Sequence, residues 1–370
     1  MTIRDRRTGP WKDVEQTQWS DWRWQLRQRL TTADDLSRVV RLSDDERQAC
    51  VETAARFRLG VTPYYASLMD ADNPDCPIRR QAIPTLAELE TGPEEHQDPL
   101  AEERDMPVPG ITHRYPDRVL LYATHTCAVY CRHCTRRRKV SDPASAPPRD
   151  QIEAGIAYIA AHPEIRDVIV SGGDPLSLSE RALERILLPL HAIEHVDFIR
   201  IGTRKPVTLP QRITPELCAL LKRVPPIYIM THFNHPSECT PEAEAACAAL
   251  VEAGCLISNQ MVLLKGVNDD AQTVCELSRR LLRMRVWPYR MYHCDYTAGT
   301  GQFRTPISKG VAIWQELHGR TSGLAVPPFE IDLPRGGGKV GVPGPAAVQL
   351  ADGRWKFTSF RGEEMVLRDS

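Results

Sequence analysis

The feature that most constrains the fold is a regular alternation of short apolar segments and longer amphipathic segments from residue 118 onward. The apolar segments predict strands at Arg118–Ala123, Asp167–Ser171, Asp197–Gly202, Pro226–Thr231, Leu256–Leu264 and Val286–Tyr292. The amphipathic segments predict helices at Arg149–Ala161, Ser179–Ile193, Thr214–Arg223, Pro241–Ala253, Asp270–Met284 and about Ser308–Leu317. Strands and helices that alternate in this way form a parallel sheet, open or closed into a barrel. Both forms bind ligands at the carboxyl ends of the strands.

Three cysteines follow the first predicted strand. Cys127, Cys131 and Cys134 form a C-x3-C-x2-C array, and soft thiolates favour iron–sulfur clusters or zinc. Three thiolates can hold three irons of a 4Fe–4S cluster and leave the fourth iron open to a substrate or cofactor. Two alternatives are a chance cluster of buried cysteines and a zinc site completed by His125 or His133.

Glycines mark two further candidate sites. The second predicted strand ends in Ser171-Gly172-Gly173-Asp174, where the absence of side chains permits close approach of a ligand; an ordinary turn is the alternative. Gly336-Gly-Gly precedes Lys339. A lysine in an enclosed site can form a Schiff base with a carbonyl such as that of pyridoxal phosphate (PLP). A phosphate-binding glycine loop and an exposed loop lysine are the alternatives, although Val340 does not fit the P-loop pattern.

Charged residues in pairs predict anion and cation sites. Arg114 and Arg118 lie at the entry to the first strand, and paired arginines suit a phosphate. Arg136 could bind a carboxylate, whereas we interpret Arg137 and Arg138 as a solvated basic surface. Two acidic residues, Asp295 just past the sixth predicted strand and Asp332 at the end of the next apolar run, could bracket an ammonium group or serve ordinary turns.

We expect three parts: an N-terminal helical region and linker at residues 1–110, a barrel at 111–340 and a β tail at 341–370. Asp13–Leu30 is predicted to be helical, and Ser43-Asp-Asp-Glu46 predicts a capped helix that ends near Leu59. Gly92–Pro109 is rich in proline and acids and is predicted to be an exposed connection. Residues 347–367 predict a hairpin around Asp352-Gly353 that covers one end of the sheet.

Composition excludes several classes of function. Lys and Arg total 47 and Asp and Glu total 48, so nothing indicates a nucleic-acid or membrane partner. The sequence shows no apolar stretch of transmembrane length and no secretory signal. Eleven cysteines without such a signal predict a reducing cytoplasm and functional thiols rather than disulfides.

Taken together, these motifs resemble the lysine 2,3-aminomutase family of radical S-adenosylmethionine (SAM) enzymes, from about Pro63 to Val340. The matching segments are Pro63-Tyr-Tyr, Asp72–Pro84, Thr112-His-Arg-Tyr-Pro-Asp-Arg118, Cys131-Arg-His-Cys-Thr-Arg-Arg-Arg138, Ser171-Gly-Gly-Asp-Pro-Leu176, Phe303-Arg-Thr-Pro306 and Gly336-Gly-Gly-Lys339. The resemblance implies an α/β fold, a partial (βα)6 TIM-like barrel, with the N-terminal helical region and C-terminal hairpin outside it. It also implies a 4Fe–4S cluster, SAM and PLP as cofactors, a reducing electron donor and a homo-oligomer.

The resemblance also implies a role for each matching residue. The implied roles are cluster ligation by Cys127, Cys131 and Cys134, SAM contact at Gly172, Gly173 and Asp174, PLP attachment to Lys339, PLP phosphate binding by Arg114 and Arg118, substrate carboxylate binding by Arg136 and substrate ammonium binding by Asp295 and Asp332. Because a glutamate side chain would be repelled by two carboxylates, the pair favours L-lysine, converted to β-lysine by amino migration. Arginine or glutamate as substrate, and β-lysine supply for modification of elongation factor P, are the alternatives.

Two positions depart from the family pattern. Arg335 stands where a glycine usually precedes Gly-Gly-Gly-Lys, which could add a phosphate contact or alter the loop. No cysteine follows Cys294 before the chain ends at Ser370. We therefore expect the zinc-binding C-terminal extension of longer family members to be absent.

Overall fold

The computed structural model describes residues 5–140, 142, 146–342, 347–352, 354–359 and 363–368. Within these residues, nine strands form one sheet in which spatial order follows chain order. They are β1 Ile111–Tyr115, β2 Arg118–Thr124, β3 Asp167–Gly172, β4 Phe198–Gly202, β5 Ile227–Thr231, β6 Leu256–Leu263, β7 Trp287–His293, β8 Phe329–Leu333 and β9 Gly338–Gly341. Strands β2 to β8 are parallel, whereas β1 and β9 pair antiparallel at the two edges.

The sheet curls into a nearly closed barrel. Its two edge strands come together where the Lys339 amide donates to the Tyr115 hydroxyl over 3.1 Å. Alternate side chains of the strands face inward, because successive residues of a strand point to opposite faces. Residues such as Arg200, Tyr228 and Ser258 line a cavity of about 750 Å³ towards the amino ends of the strands. The predicted partial barrel is confirmed.

Helices pack around the outside of the barrel, and short helices also form part of the N-terminal region. In the described part of the chain they are α1 Gln16–Ser20, α2 Trp22–Arg27, α3 Ala33–Ser37, α4 Asp44–Glu52, α5 Pro63–Ala66, α6 Pro77–Arg80, α7 Arg149–Ala160, α8 Glu180–His191, α9 Lys205–Thr208, α10 Pro215–Leu221, α11 Pro241–Glu252, α12 Ala271–Arg283 and α13 Ile307–Leu317. Helices α7, α8 and α10 to α13 each connect two consecutive parallel strands. Ser179, Thr214 and Asp270 accept backbone hydrogen bonds at the helix starts, each cap contributing about 1 kcal/mol. No helix among the described residues is long and apolar enough to span a bilayer.

Two predictions for the N-terminal region are wrong in extent. Asp13–Leu30 is not one helix, since Asp21 separates α1 from α2 and caps the second by accepting from the Arg23 amide over 2.8 Å. The capping box at Ser43 and Glu46 is confirmed, but α4 ends at Glu52 and the chain continues in turns. Helix length therefore depended on local hydrogen bonds that the apolar pattern did not reveal.

The N-terminal region and the barrel share one hydrophobic core. Trp11, Trp19 and Leu36 belong to the same buried cluster as Ile199 and Phe329 of the barrel strands. The Tyr64 hydroxyl also lies 2.6 Å from the Thr240 hydroxyl, although the two residues are far apart in sequence.

The segment at residues 86–105, which we call the acidic strap, corrects the prediction of an exposed connection. Glu95 and Glu102 are 8% and 3% exposed. Glu95 pairs with Arg304 over 2.9 Å. Arg137, interpreted above as solvated, is 6% exposed and pairs with Glu88. Composition indicated exposure here because the basic partners of these acids lie far along the chain.

The C-terminal tail forms a small sheet of its own. The predicted hairpin is confirmed, with β10 Ala347–Gln349 antiparallel to β11 Trp355–Thr358, although Gly353 lies outside the described residues. A strand that was not predicted, β12 Glu364–Leu367, pairs with β11. The described side chains of β12 are exposed, so the tail packs little against the rest of the chain.

Candidate active site

The cysteine loop, residues 125–135, leaves the carboxyl end of β2. The Arg132 amide donates to the Gln81 carbonyl over 2.9 Å, and the Arg29 guanidinium donates to the Cys127 carbonyl over 2.8 Å. The N-terminal region therefore fixes the backbone of this loop.

The thiols of the loop fit a polynuclear cluster. Burial raises the pKa of Cys134 to about 11 and that of Cys127 well above its usual value, and neighbouring cysteine sulfurs add to both shifts. Such thiols become ligands where a metal replaces their protons. Within the described ranges, no three His, Cys, Asp or Glu side chains converge closely enough to hold one metal ion. Zinc would need its sulfurs at about 2.3 Å from a single ion, whereas the thiolates of a 4Fe–4S cluster bind separate irons.

Gly172 and Gly173 allow two loops to pack together. Gly172 has φ +112°, and a Cβ there would lie 2.4 Å from the Thr124 carbonyl oxygen. A Cβ at Gly173 would lie 2.7 Å from the His125 carbonyl carbon. Glycine is therefore required for contact with the cysteine loop, and contact of these residues with SAM stays a prediction.

The Asp174 carboxylate fixes the same loop to the next strand. It is 4% exposed and accepts from the Thr203 hydroxyl over 2.7 Å and from the Arg204 amide over 2.9 Å. The end of β3 is thus held against the end of β4, and a SAM contact by Asp174 also stays a prediction.

The Lys339 amine lies at the opposite side of the barrel mouth, beside Asp332. Its Nζ is 2.5 Å from Asp332 Oδ2 and 4.5 Å from the centre of the Tyr292 ring. The two residues are cross-strand partners in the β8–β9 pair, which fixes their contact. Asp332 is 6% exposed, and its Oδ1 has no hydrogen-bond partner among the described residues. The phosphate-loop alternative is weakened, since Gly336–Gly338 does not open a helix. Lys339 is exposed, as the other alternative expected, but it stands in a strand and pairs with Asp332.

Asp295 joins this group from the loop after β7. Its carboxylate accepts from the Thr135 hydroxyl, next to the third cysteine. Burial, with smaller contributions from the charges of Asp332 and Glu102, raises the pKa of Asp295 to about 6, against the opposing effects of the Thr135 hydrogen bond and the Lys339 charge. The cysteine loop, both aspartates and Lys339 therefore line one site.

The predicted arginine ligands differ in how they are engaged. Arg114 Nη1 lies 3.9 Å from Asp332 Oδ1, while its Nε donates to Asp105 over 2.8 Å. Arg118, at the amino end of β2, lies with its guanidinium 4.0 Å from the centre of the Tyr115 ring. The Tyr115 hydroxyl accepts from the Lys339 amide. The Tyr115 ring therefore lies between the Arg118 guanidinium and the Lys339 backbone.

Arg136 is held by the acidic strap. It donates to Glu102 Oε1 over 2.8 Å and to the Ser171 hydroxyl over 3.3 Å. Arg335, which departs from the family pattern, has φ +58°, a left-handed backbone that glycine adopts without strain. This backbone explains why glycine suits the position, and the Arg335 carbonyl accepts from Arg104 over 2.9 Å.

Sequence reasoning missed polar residues at the ends of the middle strands. Arg204 and Lys205 follow β4, and His232 follows β5. Burial lowers the pKa of His232 to about 3, and the charges of Arg204, Arg136 and Lys339 add to that shift, so it stays neutral. The rule that ligands bind at the carboxyl ends of parallel strands, applied to every predicted strand, would have identified these positions.

Comparison with known proteins agrees with this geometry. The profile of the Radical SAM superfamily matches residues 121–277. An L-lysine 2,3-aminomutase of Fusobacterium nucleatum is 49% identical over 350 residues, which are 95% of this chain and 82% of that protein. The L-lysine 2,3-aminomutase of Clostridium subterminale is 48% identical over 338 residues, 91% of this chain and 81% of that protein. The chain belongs to the lysine 2,3-aminomutase family.

The family is therefore confirmed as predicted, and membership implies a 4Fe–4S cluster, SAM and PLP as cofactors. A glutamate 2,3-aminomutase of Clostridioides difficile is 44% identical over 321 residues, 87% of this chain and 76% of that protein. Overall identity within this aminomutase family thus does not by itself choose the substrate. The residues present fit two of these groups: three cysteines outside any disulfide for the cluster, and the partly exposed Lys339 amine beside the Tyr292 ring, with Arg114 at the neighbouring Asp332, for PLP.

Proposed function

We propose that this protein is an isomerase that interconverts L-lysine and β-lysine by moving an amino group from C2 to C3. The observation that carries the proposal is the contact of a primary ammonium, that of Lys339, with Asp332 in a site that also contains Asp295. The side chain of a lysine substrate ends in the same group, and charge-assisted hydrogen bonds to carboxylates hold it well.

We propose one role for each of these residues, although Arg118 also lines the cavity at the amino ends of the strands. The assignments are Cys127, Cys131 and Cys134 for the cluster, Gly172, Gly173 and Asp174 for SAM, Lys339 for attachment of PLP, Arg114 and Arg118 for the PLP phosphate, Arg136 for the substrate carboxylate, and Asp295 and Asp332 for the substrate ammonium. When bound, the cluster and SAM supply radical chemistry at an unactivated C–H bond, and PLP carries the migrating nitrogen.

The protein chain itself binds and orients the substrate and cofactors and shields the site from water. Arg136 is oriented by Glu102 and Ser171, so that its charge stays at the barrel mouth. The acidic strap covers that side of the site and limits the access of water, which strengthens the electrostatic contacts inside. Lys339 must lose its proton to become a nucleophile, and the Asp332 carboxylate, 2.5 Å from its Nζ, is the group placed to accept that proton.

A related reaction on arginine is the second candidate, since a guanidinium also suits two carboxylates. Glutamate fits less well because Asp295 and Asp332 would repel its side chain. We infer further that the enzyme takes one electron from a low-potential donor, works in the cytoplasm and is a homo-oligomer.

Anaerobic turnover tests the proposal. The purified enzyme receives L-lysine, L-arginine or L-glutamate in parallel, with SAM, PLP and dithionite, and the products are identified by NMR. β-Lysine as the main product is the expected result. A β-amino acid formed only from arginine or glutamate would overturn the substrate assignment. Borohydride reduction followed by peptide mass spectrometry should find PLP on Lys339 and none in the Lys339→Arg variant.

A further inference from the structure

Two buried basic residues lie just after β4, one of them in contact with the cysteine loop, and none of the proposed roles uses them. Arg204 and Lys205 begin the segment after β4. Arg204 is 9% exposed and donates from Nη1 to the Cys131 sulfur over 2.9 Å. It therefore makes a direct hydrogen bond to one of the thiols assigned to the cluster.

Arg204 is fixed in this orientation by groups on its other side. Its Nη2 donates to Glu238 and to Gln81, each over 2.5 Å, and its Nε donates to the His232 carbonyl over 3.0 Å. A guanidinium held at every nitrogen cannot turn away from Cys131. Its contact with the sulfur is part of the fold rather than one of several rotamers.

Lys205 contributes a second charge without any fixed partner. It is 0% exposed, and its Nζ has no hydrogen-bond partner among the described residues. Burial lowers the pKa of this amine to about 8, while the nearby groups Asp174 and Cys127 favour its charged form. Because an unpaired buried ammonium is costly, the site favours a nearby negative charge, and the carboxylate of Asp174 is already engaged by other donors.

We propose that Arg204, which donates an N–H to the Cys131 sulfur, and the adjacent buried Lys205 raise the reduction potential of the 4Fe–4S cluster by adding positive charge on this side of the cysteine loop. The inference rests on the proposed function, in that these cysteines hold the cluster. One-electron reduction makes the cluster and its thiolates more negative, so nearby cations stabilise the reduced form. Hydrogen bonds to the sulfurs act in the same direction. The two residues thereby ease electron transfer from a low-potential one-electron donor.

The test uses the full-length enzyme with its cluster reconstituted anaerobically, titrated with dithionite and followed by EPR. Lys205→Met keeps the length of the side chain and removes the charge without removing a hydrogen bond. At a fixed potential the ratio of reduced to oxidised cluster should fall about tenfold. This corresponds to a midpoint reduction potential that is lower by about 59 mV for a one-electron couple. Lys222→Met, at an exposed position, is the matched control and should leave the midpoint unchanged.

The sign of the shift separates an electrostatic role from a structural one. Arg204→Gln should lower the midpoint, whereas Glu238→Gln, which removes the counter-charge of Arg204, should raise it. If these buried variants do not fold, Lys205→Met alone decides. An unchanged midpoint in Lys205→Met, or loss of its iron and sulfide, would overturn the inference. A wild-type protein that binds no iron and sulfide would instead overturn the assignment of the cluster to the cysteine loop.

Discussion

At the scale of single residues, the proposed substrate site depends on the carboxylates of Asp295 and Asp332. Asp332 contacts a lysine amine that PLP would use, and its second oxygen has no partner among the described residues. A buried carboxylate oxygen without a hydrogen-bond partner favours binding of a ligand that donates a hydrogen bond to it. If the two aspartates bind the substrate as proposed, substrate charge rather than substrate length is the first criterion of recognition.

Replacing Asp332 with asparagine should weaken lysine binding. A hydrogen bond to a charged group contributes about 1.5–3 kcal/mol, so KM for L-lysine should rise about 10- to 100-fold in Asp332→Asn. Steady-state kinetics would measure the change. The PLP absorbance band should persist, as a control for cofactor loading. Unchanged kinetics with lysine would refute the assignment of this residue to the substrate ammonium.

The titration of Asp295 should set an acidic limit to activity. Burial raises the pKa of this carboxyl to about 6, so it becomes protonated as pH falls through that value. Only the ionised form attracts an ammonium, and KM for L-lysine should therefore rise below about pH 6 and level off above it. A pH series measures this, and Asp295→Asn should remove the inflection. A wild-type KM that does not change between pH 5 and 7 would contradict the prediction.

Local sequence predicted the residue types of the site but not all of their partners. Lys339 and Asp332 were both identified, yet their ion pair arises only because β8 and β9 are antiparallel neighbours. Arg204 was missed because its target, the Cys131 sulfur, lies on a loop that is distant in sequence. Contacts across the barrel mouth depend on how far the sheet curls, which no local pattern gives.

At the scale of elements, the acidic strap shows why composition misled. Its prolines and acids are typical of an exposed linker. Glu88, Glu95 and Glu102 are nevertheless buried. Glu88 pairs with Arg132 and Arg137, and Glu102 pairs with Arg136, all in the segment after β2. The six strands and six helices that were predicted for the barrel, in contrast, begin and end within two residues of the predicted bounds, because period and caps are local. Strands β1, β8 and β9 and helix α9 were not predicted.

Breaking the strap at its most buried acid should destabilise the protein. Glu88 pairs with both Arg132 and Arg137, and all three side chains are buried. Glu88→Gln leaves two buried guanidinium groups without a counter-charge, which should cost about 3–5 kcal/mol of unfolding free energy. Denaturant unfolding followed by circular dichroism measures it.

The same strap supplies a matched control for this substitution. The side chain of Glu103 is 61% exposed and pairs with Lys139 over 3.4 Å. Glu103→Gln should therefore cost less than about 1 kcal/mol. Equal effects of the two substitutions would show that burial of the strap does not contribute to stability.

At the scale of the whole molecule, the two ends of the chain differ in their relation to the barrel. The N-terminal region supplies Trp11, Trp19, Leu30, Leu36, Val40 and Leu59 to the main core. Residues 347–352, 354–359 and 363–368 supply none of its buried members. Sequence indicated a separate unit at each end, but only the structure reveals which one is integral to the fold.

Truncation from each end should therefore have opposite results. Burying a large apolar side chain contributes about 1.5–3 kcal/mol, so losing the six core residues of the N-terminal region removes on the order of 10 kcal/mol. That equals the net stability of an ordinary domain, and a chain lacking residues 1–60 should not fold. A chain lacking residues 347–370 should keep its thermal midpoint, because the β8–β9 pair and the core remain. Thermal unfolding followed by circular dichroism compares the two. A cooperative transition in the first truncation at the temperature of the full chain would show that the barrel does not need its N-terminal residues.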